Sequence, residues 1–157
     1  MNPETVLTMC NEKSIDINHV PGGSGAAFTS EDAKHALAHM NPAAFNYCMY
    51  VFLLNKNDLS LLMGNTVHYI VKYNPNIASL EKSKGLPFVI DLCRMACMEQ
   101  IKPAGKITNK ERYNRLKITR GEWRYKWKSV FVQAENYLNE LRQEVTRHIY
   151  CVTKENE

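Results

Sequence analysis

Apolar side chains recur every three to four residues along most of this chain, from about residue 29 to about residue 150. That spacing places them on one face of an α-helix, whereas a half-buried strand would show strict alternation, which no segment here does. No internal repeat is found either. The pattern therefore predicts an all-α protein: a compact multi-helix domain that ends in a long helix.

Helix-capping residues and Pro/Gly breaks divide this pattern into elements. Residues 1–25 lack periodicity and end in PGGSG, which predicts an extended N-terminal arm before a single helical domain at residues 26–157. Thr29 is a predicted N-cap for the first helix, and Asn41 with Pro42 ends that helix and starts the next. A polar piece that contains Lys82, Lys84 and Gly85 leads into a later helix. The helices after the first are predicted at about 43–54, 59–73, 86–100, 110–116 and 121–150.

The last predicted helix carries the longest apolar stripe. It is predicted to bury the residues at positions 123, 127, 130, 131, 134, 138, 141, 145 and 149.

Composition narrows the class of protein. The longest apolar run, Tyr47–Leu54, is far short of the roughly 20 residues that span a bilayer, and the N-terminus lacks the features of a signal peptide. Five scattered cysteines are typical of free thiols in a reducing compartment, so a cytoplasmic protein is expected. The pairs His35/His39 and Cys93/Cys97 supply two ligands each, fewer than a structural zinc needs. No catalytic motif is present, so neither an enzyme nor a cofactor is expected.

Positive charge is concentrated in one segment. Residues 1–101 hold 7 basic and 9 acidic side chains, residues 102–128 hold 10 and 2, and residues 129–157 hold 3 and 5. The central segment therefore carries a net charge of +8, while the flanking parts carry −2 each. Such a concentration is expected of a protein that binds a polyanion, because each phosphate contact releases counterions.

The same segment fits a helix-turn-helix between Asn109 and Lys128, in which the second helix enters the major groove of DNA. Leu116, Ile118, Trp123 and Trp127 would pack the two helices inward. Arg124 is the candidate for a bidentate contact to a guanine edge, since its planar fork matches O6 and N7. The remaining outward residues would contact sugar and phosphate or bring helix N–H groups to a phosphate: Thr119, Arg120, Tyr125 and Lys128.

A second interpretation of this segment stays open, that of an amphipathic helical hairpin whose tryptophan pair is plain core. Tyr113 stands where a small residue is usual in DNA-reading motifs, and Lys117 stands where glycine is common in the turn.

Three stretches resemble the lambda-type Q antitermination proteins of lambdoid phages. These are FTSEDAKHALAHMNPAAFNYCMYVFLLNKNDLS, LEKSKGLPFVIDLCRMACMEQ and RYNRLKITRGEWRYKWKSVFVQAENYLNELRQEV. Where the lambda protein inserts a four-cysteine zinc-binding segment, this chain has only IKPAGKITNK, so no zinc is expected. Lys102, Lys106 and Lys110 are candidates to replace some of the backbone contacts of that segment.

The resemblance implies a phage late-gene antitermination factor in the cytoplasm of a bacterial host. Such a factor binds double-stranded DNA at a late promoter and loads onto paused RNA polymerase, at its flap and at the sigma factor. It then acts near the nascent RNA at the exit channel, so that polymerase passes pauses and terminators. Two alternatives remain: a helix-turn-helix repressor or activator, and a host-takeover factor that binds protein but no DNA.

Overall fold

The computed structural model describes the backbone of residues 35, 37–101 and 107–155, and their side chains except at residues 78–84 and 152–155. Within these ranges every regular element is helical and no strand occurs, which confirms the predicted all-α class. The predicted N-terminal arm, the predicted cap Thr29, and the connector residues Lys102 and Lys106 lie outside the described residues.

From Pro42 onward, the described chain contains six α-helical segments and two π-helical turns. Helix α1 (Pro42–Tyr47) runs into a π-helical turn (Cys48–Phe52), and a 3₁₀ turn (Lys56–Asp58) precedes the next helix. A second π-helical turn (Trp123–Trp127) joins α5 to α6, so that residues 120–155 form one uninterrupted helix. The remaining bounds are α2 (Leu59–Tyr73), α3 (Ile77–Glu99), α4 (Asn109–Arg115), α5 (Arg120–Glu122) and α6 (Lys128–Glu155).

The predicted helix boundary at Asn41 and Pro42 is present in the structure. The Asn41 side chain accepts a hydrogen bond from the Ala43 backbone N–H at 2.9 Å, and Pro42 occupies the first helical position, where its missing N–H costs nothing. In α3 the polar piece before Gly85 is itself helical, contrary to the prediction that the helix starts at about Leu86. Gly85 nevertheless breaks the helix with φ 75°, a conformation that other residues rarely adopt.

The described chain groups into two compact units. That residues 26–157 form a single domain stays a prediction. One unit comprises residues up to Lys56 together with residues from Leu141, and the other comprises Asn57–Glu140. Helix α6 contributes its first part to the second unit and its last part to the first. In the unit of residues 57–140, Leu62, Thr66 and Ile70 of α2 are fully buried, and the Thr66 hydroxyl lies 3.6 Å from the Cys97 thiol of α3.

The apolar stripe of the last helix is buried at all nine predicted positions, and Trp123 and Trp127 are 2% and 1% exposed. The apolar period of the last helix therefore predicts its buried face correctly from Trp123 to Ile149. Across the described residues, no helix combines the length and the apolar character needed to cross a bilayer.

Candidate nucleic-acid interface

The turn between α4 and α5 is built from two local motifs. Helix α4 ends in a Schellman motif, in which the N–H of Lys117 donates to Asn114 and that of Ile118 donates to Tyr113, both at 3.1 Å. The motif requires a left-handed residue, and Lys117 supplies it with φ 54°. Lys117 thus adopts the conformation for which glycine is common, without being glycine.

Helix α5 begins with a capping box at Thr119. The Thr119 side chain accepts from the Glu122 N–H at 3.1 Å, and the Glu122 carboxylate accepts from the Thr119 N–H at 2.8 Å. The predicted cap is therefore present, but the Thr119 N–H is already occupied. Of the helix N-terminal donors, those of Arg120 and Gly121 have no partner within the helix and can still meet an anion.

Arg120, Arg124 and Lys128 stand at intervals of four along one continuous helix. In an α-helix, residues four apart differ by about 40° in direction, because a turn holds 3.6 residues. Residues 123–127 of this helix form a π-helical turn, in which each hydrogen bond closes one residue further on than in an α-helix. Arg120, Arg124 and Lys128 nevertheless share one face, since all three line one surface depression.

Two buried tryptophans lie behind this basic face: Trp127 packs on a neighbouring helix, and Trp123 packs on a ring of its own helix. The Trp127 ring lies 4.4 Å from the ring of Phe88 on α3, and the Trp123 ring lies 5.4 Å from that of Phe131. The buried indole N–H of Trp123 has no hydrogen-bond partner among the described residues, so apolar packing rather than hydrogen bonding holds the ring. The direction of the basic side chains is thereby set by rigid core contacts.

Four cations surround one surface depression of about 350 Å³ at this face: Lys110 of α4, and Arg120, Arg124 and Lys128 of the following helix. All four are exposed, and within the described residues none of them forms an ion pair with a carboxylate. Asn109 and Tyr113 of α4 line the same depression, together with Trp123. The depression thus presents four positive charges and amide and phenol groups, with no acidic residue in its lining.

Of the other predicted contact residues, Thr119 and Tyr125 do not line this depression, and Lys102 and Lys106 lie outside the described residues. Thr119 is exposed but does not line it, and Tyr125 is 79% exposed with the Arg124 guanidinium 5.5 Å from its ring centre. Asn109 and Tyr113 were not among the predicted contact residues. Tyr113 counts against a DNA-reading motif in the sequence pattern, yet the structure places it in the lining, half-buried.

One of the basic residues in the positive segment points inward instead. Arg112 of α4 pairs with Glu99 of α3 at 3.2 Å and with Glu135 of α6 at 3.3 Å, and its guanidinium lies 4.6 Å from the Phe131 ring centre. Burial raises the pKa of the Glu135 carboxyl; Arg112 acts to lower it, and Glu99 acts to raise it. Arg112 therefore ties α4 to two other helices of its unit and is not free to meet a ligand.

The histidine and cysteine pairs form no metal centre in the described chain. No group of three or more His, Cys, Asp or Glu side chains there could hold a metal ion, and the His35 and His39 rings pack edge to face at 4.5 Å. Burial raises the pKa of the Cys93 thiol to about 12 and that of Cys97 to about 11. Both therefore remain neutral thiols at physiological pH, poorly suited to act as nucleophiles.

The chemistry available at the basic depression is recognition of an anion. Arginine and lysine side chains supply charge-assisted donors, and the arginine fork also matches two acceptors in one plane. Comparisons with known protein families, with curated proteins and with solved structures find no match to this chain.

Proposed function

We propose that this protein binds double-stranded DNA through α4, α5 and the start of α6, and acts as a phage late-gene antitermination factor. The single observation that carries the DNA-binding part is the depression lined by Lys110, Arg120, Arg124 and Lys128, all exposed and free of carboxylate partners in the described chain. A duplex offers a regular array of phosphates that such cations neutralise with release of counterions.

The roles of the side chains follow from their chemistry. Arg124 lies between the other two cations of its helix, and its planar fork suits the O6 and N7 acceptors of guanine. Lys128 and Lys110 are flexible point charges that suit phosphates on either side. Arg120 stands at the positive end of the helix, where a phosphate is also favoured by the N–H groups of residues 120 and 121.

The second part of the proposal, action on RNA polymerase, is supported by the resemblance of three stretches to the lambda-type Q proteins. In that mechanism the DNA-bound protein meets polymerase paused just past the promoter, at its flap and sigma factor, and then stays near the RNA exit. It acts by binding and by constraining the exit region, without a chemical step.

The DNA-binding part is tested by selecting duplexes from a random-sequence library and measuring their affinity over a range of salt concentrations. For the selected duplex, Arg124→Ala is expected to cost about 1–3 kcal/mol and to relax the preference at one base pair. Lys128→Ala is expected to weaken binding to all duplex sequences alike. It should also reduce the slope of the logarithm of affinity against the logarithm of salt concentration by about one. Lys126→Ala is the matched control, because Lys126 is exposed on the same turn but does not line the depression.

Affinity that is indifferent to both salt and Arg124→Ala would refute DNA binding at this face and favour a factor that binds only protein. The antitermination part is tested separately, by transcription in vitro from a promoter that carries the selected site, across a terminator. Read-through is expected to increase only when the site is present. Normal DNA binding with unchanged termination would instead indicate a helix-turn-helix repressor or activator.

A further inference from the structure

A second groove, of about 380 Å³, lies between α3 and the α4–α5 turn and shares no lining residue with the basic depression. It belongs to the same unit, residues 57–140. The proposed DNA contact does not involve this groove, so the groove is free to bind a different ligand.

The floor of the groove is apolar and rich in methionine. Phe88 and Met95 are buried beneath it, Leu116 is half-buried, and Met98 is 48% exposed. The α3 residues of the floor span positions 88 to 98, about 15 Å at the helical rise. Methionine is unbranched and polarisable, so a methionine surface adapts to apolar side chains of different shapes. An exposed methionine at such a floor offers contact area to an apolar partner group.

The rim of the groove is basic. Arg94 is paired with Asp91 at 2.9 Å, but Arg115 and Lys117 form no ion pair with any described residue. Two uncompensated positive charges therefore border an apolar floor. That combination is complementary to a segment that carries both carboxylates and apolar side chains.

Lys117 provides an independent indication that charge matters at this rim. Its φ of 54° lies in the left-handed region, where a residue with a side chain is strained and glycine is not. The turn would thus be more stable with glycine at this position. The side chain that the chain carries there instead lines the groove and adds one of its two unpaired cations.

From the apolar floor, the basic rim and the strained lysine, we propose that this groove binds an acidic amphipathic segment of a partner protein. Two or three turns of helix in that segment, with apolar side chains three or four residues apart, match the 15 Å floor. Its carboxylates pair with Arg115 and Lys117 while its apolar side chains cover Met98. The two sites share no lining residue, so substitutions can affect peptide binding and DNA binding separately.

The test uses the full chain and a designed probe, a fluorescein-labelled helical peptide of about 16 residues with leucines on one face and glutamates flanking them. Two control peptides accompany it: one with lysine in place of each glutamate, and one with glutamine in place of each leucine. Fluorescence anisotropy is expected to show saturable binding of the acidic amphipathic peptide, about tenfold tighter than that of either control.

Two substitutions in the groove should weaken this binding. Lys117→Gly removes one rim charge in a backbone conformation that suits glycine, and is expected to weaken peptide binding about fivefold. Met98→Glu places a carboxylate at the exposed end of the floor, and is expected to weaken it at least about tenfold. Lys126→Gln removes a charge outside the groove, and Arg124→Ala removes one from the basic depression. The peptide affinity of both variants is expected to stay within about twofold of that of the unsubstituted protein.

Equal affinity for the lysine peptide, or affinity unaffected by Met98→Glu and Lys117→Gly, would overturn the proposal. Loss of binding in Arg124→Ala would overturn it too, because the peptide would then occupy the basic depression. Absence of saturable binding would have the same consequence. Failure of DNA binding leaves this inference untouched, since it rests on different residues.

Discussion

Substitution of Arg112 tests how α4 is held in place. Arg112→Met keeps a long unbranched side chain but removes the charge that pairs with both Glu99 and Glu135. The Glu99 side chain is only 8% exposed, so the substitution leaves a buried carboxylate without its cation. Breaking a buried pair in this way costs about 3–5 kcal/mol, and we expect the free energy of unfolding to fall by that amount near neutral pH.

The loss should shrink in acid. Burial raises the pKa of Glu135, and without Arg112 the effect that lowers it is gone while Glu99 still raises it. A carboxyl whose pKa is higher in the folded than in the unfolded state binds a proton more tightly when folded. Stability then rises as the pH falls through the folded pKa towards the unfolded one. The difference between Arg112→Met and the unsubstituted protein is therefore expected to be smaller at about pH 4.5 than at about pH 7.

Tryptophan fluorescence during urea unfolding measures this directly, because both tryptophans of the chain lie in the unit that contains Arg112. Arg115→Met is the matched control: Arg115 is exposed on the same helix, and its loss should change stability by less than about 0.5 kcal/mol. Adding Glu99→Gln to Arg112→Met should restore part of the loss. A cost below about 1 kcal/mol at neutral pH, or one that does not diminish in acid, would refute the reasoning.

Two further predictions concern the turn and the thiols. Lys117→Gly should raise the free energy of unfolding by about 1 kcal/mol, because it relieves the strain of φ 54°, and an unchanged or lower urea midpoint would contradict this. Iodoacetamide at about pH 8 should alkylate the exposed Cys151 of the folded protein but spare Cys93 and Cys97, whose raised pKa values keep them as buried neutral thiols. Peptide mass spectrometry reads out each site, and modification of all three at equal rates would show that the Cys93 region opens readily.

Much of the helical architecture follows from local features of the sequence. The cap at Asn41, the break at Gly85 and the cap at Thr119 act through hydrogen bonds and backbone preferences within a few residues, so their positions can be read from the chain. The buried face of the last helix follows from its apolar period in the same way. The helical state of the polar piece before Gly85 did not follow, because a short polar stretch has no apolar period that would indicate a helix in sequence.

Tertiary structure alone decided how the positive segment is used. The sequence does not distinguish the ten basic residues of this segment by their charge. Arg112 nevertheless points inward, because the fold brings the carboxylates of Glu99 and Glu135 next to it. Arg120, Arg124 and Lys128 share one depression along a single helix, and Lys110 joins them only because α4 folds back beside that helix. The groove bordered by Arg115 and Lys117 likewise needs α3, distant in sequence, as its floor. Short-range hydrogen bonds and the period of apolar side chains can be predicted from neighbouring residues in the sequence. The pairing and direction of charged side chains cannot, because they depend on which distant residues the folded core brings together.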